Sequence, residues 1–154
     1  MNLEPHLRVA GALQLALAAA NIPLSKWLHW RTELPRLSPV NRQVVIVHSM
    51  FIVLTLALFG LLSLLAAPDL LAPTRLAALT CAGLALFWLA RLLAQFFVYS
   101  PTLWRGHPGR TAIHIALAIL WTYLATVYAL ALAAHACVKP PITLQVMSAP
   151  YQFM

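Results

Sequence analysis

Carboxylates are almost missing from this chain: Glu4, Glu33 and Asp69 are the only three acids in 154 residues. A general acid/base enzyme of the usual kind is therefore disfavoured, and histidine is the one side chain left for proton transfer near neutral pH. Cysteine is as sparse. Cys81 lies within one apolar run and Cys137 ends another, which is neither a metal-ligand spacing nor the framework of a small secreted domain. The five glycines form no Walker or Rossmann pattern, HExxH is absent, and no nucleophile stands beside a matched base. Charged residues make up 8% of the chain against 62% hydrophobic, a balance at which a water-soluble fold could not cover its own apolar surface. What is there is an integral membrane protein.

Four long apolar runs fill the length at about 20 residues per crossing, leaving no separate soluble domain. They cover residues 9–28, 40–67, 76–100 and 111–137, with a short tail at 138–154. Pro23 kinks or ends the first run. Ser38 and Pro39 suit the N-cap and first position of the second helix, and Pro68-Asp69 stops it. Pro101 closes the third run, Gly106-His107-Pro108-Gly109 breaks the chain before the fourth, and Pro140-Pro141 forbids further helix. Arg8, the apolar stretch from Val9 and Ala18-Ala19-Ala20 imitate a secretory leader, but the segment reads as a retained first span. Gly60 and Gly83 read as close-packing points, and Gln14 as a bond to a neighbouring helix.

The formal charge of +7 is spread among apolar segments and makes no basic stripe for nucleic acid. Lys26, Arg31, Arg36, Arg42, Arg105 and Arg110 flank one side of the spans, and Arg8, Arg75 and Lys139 the other. The positive-inside rule then places both termini outside, in the periplasm-like space of a bacterial inner membrane. Trp27, Trp30, Tyr99 and Trp104 gather at the inner boundary, as interfacial aromatics do. The expected fold is all-α: one polytopic domain of four transmembrane helices in an up-down bundle. The tail from Ile142 to Met154 is uncharged and carries Tyr151 and Phe153, unlike a solvated disordered tail.

Asn21, His48, Arg91, Gln95 and His114 interrupt these runs. With Lys26, Arg42, Tyr99 and Arg110 at the inner interface, helical rise sets Asn21 about 7 Å deep, His48 about 9 Å, Gln95 about 6 Å, Arg91 about 12 Å and His114 about 6 Å. All five fall in one inner-leaflet layer. An Arg at membrane depth costs roughly 2.5 to 3.5 kcal/mol on insertion scales, so it normally faces a partner, a cavity or a ligand. Arg91 and Gln95 share a helix face, with Trp88 a turn away. Polar neighbours at helical spacing, Asn41 and Thr55 for His48 and Thr122 for His114, predict stripes that face the bundle. No buried acid is available to Arg91, so its counter-charge must be a lipid phosphate, a ligand, a partner subunit or freed backbone carbonyls.

Two functions fit. In the first, His48 and His114 on diagonal helices clamp the iron of a haem b, or hold a quinone, chlorin or lipid head, while Arg91, Gln95, Asn21 and Trp88 line its polar edge. Small membrane cytochromes b with paired histidines are similar in outline, at the level of architecture only, since His135 stands alone on the outer side. In the second, the chain is a non-catalytic accessory or assembly subunit, or a homo-oligomer, packing against partner membrane subunits and lipid.

Overall fold

The computed structural model describes residues 2–23, 29–100, 102, 104 and 106–137. Lys26, Trp27, Arg105, Lys139 and the tail with Pro140-Pro141, Tyr151 and Phe153 lie outside them. The described residues contain helices and turns and no strand.

Helix α1 spans Glu4–Asn21. It begins five residues before the first apolar run, at a Glu4–Arg8 ion pair of 2.8 Å, and ends well short of residue 28. The ending has a local cause. Ile22 donates to the Ala19 carbonyl at 3.2 Å, a tightened last turn, and Pro23 has no N–H with which to continue. A short helix α2, Trp30–Glu33, and a 3-10 turn, Leu34–Arg36, lead to α3, Pro39–Leu65. Ser38 caps α3 as expected, its side chain accepting from the Asn41 N–H at 3.4 Å. Helix α4, Ala67–Leu71, takes Pro68 into its first turn, and α5 runs Arg75–Phe97. Thr74 caps α5 by accepting from the Ala77 N–H at 3.1 Å. Helix α6 is Pro108–Cys137.

Among the described residues three helices, α3, α5 and α6, are long and apolar enough to cross a membrane. Helix α1 is 18 residues long, about 27 Å, and Glu4, Arg8, Gln14 and Asn21 lower its hydropathy.

The helices pair as two hairpins, α1 with α3 and α5 with α6. In the first, Arg8 Nη1 donates to the Leu64 carbonyl at 3.4 Å, while Gly11 lies against Gly60 and Leu64. A Cβ on Gly11 would stand 2.7 Å from the Gly60 oxygen and 2.7 Å from the Leu64 nitrogen, so glycine lets the two backbones touch. Gly60 is thus a close-packing point, as its sequence context indicates. Gly83 is not: nothing lies within 4 Å of its missing Cβ, because it faces away from both neighbours. Helix α1 meets α6 and carries the hairpins together, with α4 packed at the same end through Ala67 and Leu70. The two hairpins share one core, in which Leu7, Cys81, Trp88, Leu124 and Tyr128 are almost wholly buried.

Candidate functional site

Two polar nodes sit inside this apolar frame. The first joins three helices. The Tyr128 hydroxyl bonds Ser63 Oγ and accepts from Gln14 Nε2 at 2.6 Å; Ser63 donates to the Phe59 carbonyl at 2.8 Å, and Gln14 Nε2 also reaches the Ala10 carbonyl at 3.0 Å. All three side chains are buried, so this node ties α1, α3 and α6 where water cannot compete.

The second node lies between α5 and α6. Arg91 Nη1 donates to Gln95 Oε1 at 3.3 Å, and Gln95 Nε2 lies 2.7 Å from His114 Nδ1. The proton positions follow from the inventory of donors. A guanidinium has no acceptor, so the Gln95 oxygen must face Arg91, leaving its NH2 to donate to His114. His114 Nδ1 therefore accepts, and a neutral imidazole carries its proton on Nε2.

Aromatic rings enclose the pair. The guanidinium carbon of Arg91 lies 4.9 Å from the Trp121 ring centroid and 5.6 Å from that of Tyr99, inside cation–π range. Trp88 stacks on Trp121 at 5.2 Å and 14°, and Phe87 and Phe59 continue the column edge to face. Trp104, in the connection before α6, stacks on His114 at 3.9 Å and 17°, and Phe96 meets the same imidazole edge-on at 5.9 Å. The connection is held over the site by Thr111 Oγ1 and the His107 N–H, which donate to the Trp104 carbonyl at 2.9 and 3.1 Å. Gly106 turns the chain there in the left-handed region, at φ 82°.

Of the sequence-predicted site residues, Arg91, Gln95, His114 and Trp88 come together. Asn21 does not join them, since its Nδ2 donates to the Leu17 carbonyl of its own helix at 2.8 Å. His48 is exposed on α3, with no hydrogen bond or ring contact to any described residue of the cluster. Of the polar neighbours expected on the same stripes, Asn41 is exposed, Thr55 is half-buried, and Thr122, exposed too, bonds the Ala118 carbonyl of its own helix at 2.8 Å. Trp121, Tyr128 and Ser63 are the residues that sequence reasoning missed, whereas Gln14 makes the expected bond to a neighbouring helix, at Tyr128 of α6, and Trp104, read as an interfacial aromatic, covers His114. Trp121 and Tyr128 are seven apart, with Leu124 between them on the same face, a spacing that marks the buried side of α6.

The joint haem role for His48 and His114 draws no support from this geometry. An axial histidine binds iron through an unprotonated nitrogen, usually Nε2, while Nδ1–H donates to a partner. At His114 the Gln95 contact sets the reverse arrangement. No group of three or more His, Cys, Asp or Glu stands ready for a metal ion among the described residues.

No family model, characterised protein or solved structure matches this chain.

Proposed function

We propose that this chain is a four-span integral membrane protein whose α5–α6 hairpin binds the polar head of a membrane-soluble amphiphile. One observation carries the reading: Arg91, a permanent cation within a span, is half-buried and meets one amide oxygen and two aromatic faces but no carboxylate. The ion pairs among the described residues are Arg8–Glu4 and Arg36–Glu33, both far along the chain. Such a cation is stabilised when a ligand supplies acceptors.

Helix α1 serves as the fourth crossing because the amide N–H groups of its two carboxamides are satisfied inside the protein, Gln14 on Tyr128 and Asn21 on Leu17. Six of the basic residues then flank the inner side, with both termini outside in a bacterial inner membrane. A quinone or a phospholipid presents a head of the required kind.

The test is the content of the purified protein. After extraction in mild detergent, the wild type should carry about one equivalent of an amphiphile, identified by phosphorus content, by quinone redox difference spectra or by a Soret band. Arg91→Ala should lose it while retaining helical content. Equal retention by the variant refutes the site.

A second reading has its own observation. Val44, Val47, Met50 and Phe51 of α3 are exposed around His48, a polar group with no partner among the described residues on an otherwise lipid-facing helix. An accessory subunit that seats α3 against a partner helix would cover it. Co-purification with a partner, lost in His48→Leu, tests that case.

A further inference from the structure

We infer that the head group bound at Arg91, Gln95 and His114 is an oxyanion of the phosphate class that carries no cation of its own, unlike the zwitterionic head of phosphatidylcholine, an inference that rests on the ligand site proposed above. The argument is a count of unspent hydrogen-bonding groups. Arg91 has five N–H donors, and among the described residues only Gln95 Oε1 accepts from it. His114 keeps the Nε2 proton, since Gln95 occupies Nδ1. The indole Nε1–H groups of Trp88 and Trp121 are also without a partner, although these side chains are 1% and 3% exposed. Trp121 is the ring on which Arg91 lies.

The side-chain groups beside Arg91 are donors apart from Gln95 Oε1, which is already used, and the Tyr99 hydroxyl, which donates as well as accepts. Buried donors left unmade are costly, and their common complement is a group rich in acceptors. The formal charge decides between a neutral and an anionic complement. A quinone carbonyl accepts hydrogen bonds but leaves the guanidinium charge uncompensated, whereas a phosphate oxyanion supplies acceptors and charge together, in the geometry that arginine favours.

Position agrees with this. Arg91 begins six residues inside the end of α5, but its guanidinium also reaches the ring of Tyr99, two residues beyond that end. It snorkels toward the level where phospholipid phosphates lie. Arg91 and His114 are half-buried rather than sealed, so a head group can approach from one side.

The sharpest test adds the missing charge in place. Gln95→Glu keeps the side-chain length and puts a carboxylate at the oxygen that now faces Arg91, satisfying the cation internally. The full chain is reconstituted in phosphatidylcholine nanodiscs with and without phosphatidylglycerol, and lipid retained on release is read by native mass spectrometry. The wild type should retain phosphatidylglycerol about tenfold or more over phosphatidylcholine, as expected for a charge-assisted contact. Gln95→Glu and Arg91→Gln should both abolish the preference with helical content unchanged. If inorganic phosphate in phosphatidylcholine discs displaces the retained lipid, or binds alone with the same dependence on Arg91, the oxyanion assignment stands and the source is free phosphate. Absence of an anionic preference in the wild type, or its persistence in Gln95→Glu, overturns the assignment. In that event a short-chain quinone retained only when Arg91 is present would leave the ligand site standing. No dependence of any probe on Arg91 would remove both.

Discussion

Replacing Gly11 by alanine should weaken the α1–α3 hairpin, although alanine is the better helix former. A methyl group there would meet the Gly60 oxygen and the Leu64 nitrogen at 2.7 Å and the Leu64 Cα at 3.1 Å. All three are backbone atoms on a facing helix, so no rotamer change relieves the clash. The helices must separate by roughly half an ångström or more, and a gap of that size forfeits a quarter or more of each dispersion contact along the seam. Overpacking of this kind costs about 1–3 kcal/mol. Alanine regains about 0.8–1 kcal/mol of helix propensity, so the net loss lies between about 0 and 2 kcal/mol. Gly83→Ala is the matched control, because its Cβ meets nothing within 4 Å and only the propensity gain, up to about 1 kcal/mol, applies. Unfolding in mixed micelles of mild detergent and dodecyl sulfate, followed by circular dichroism, should place Gly11→Ala below the wild type and Gly83→Ala at or above it. Equal stability of the two variants would show that α1 and α3 do not touch as described.

Tyr128→Phe deletes the hydroxyl shared by Gln14 and Ser63, each of which keeps a backbone partner at Ala10 or Phe59. The same unfolding measurement should show a loss of about 0.6–1.7 kcal/mol, and no loss would mean the node is not formed. Thr74→Ala removes the α5 cap and should cost about 0.5–2 kcal/mol, whereas Thr80→Ala, whose hydroxyl bonds its own helix at the Leu76 carbonyl, should change little. His48→Leu should leave bound amphiphile unaltered, and a variant stripped of its ligand would reinstate His48 as part of the site.

The helices were legible because apolar length and proline punctuation are local signals. The Ser38 cap and the stop after Phe97 lie close to where the residues place them. Apolarity alone does not register the Glu4–Arg8 pair that starts α1 ahead of the first apolar run, whereas Pro23 marks the end of the helix, just past the tightened turn at Ile22; residues 24–28 of that run lie outside the described residues. Half of the site was legible, since Arg91 and Gln95 are four apart on one helix and His114 shares their depth. Rotation about the helix axis was not. Depth is fixed by counting residues, but whether a lone polar side chain points inward depends on which neighbour packs on that face. Helix α3 packs mainly on α1 through Leu56, Gly60 and Ser63, which turns His48 outward. Gly11 and Tyr128 carry contacts between distant segments, and a single glycine or tyrosine in an apolar run gives no sign of them.

Nitrogen NMR of the intact protein, labelled with 15N-histidine and assigned through His114→Gln, tests the Arg91–Gln95–His114 chain most directly. At mildly alkaline pH, His114 should show a bare, hydrogen-bonded Nδ1 and a protonated Nε2, with the Nδ1 signal moving in Gln95→Leu. A protonated Nδ1 beside a bare Nε2, unchanged in that variant, would contradict the arrangement on which the binding site depends.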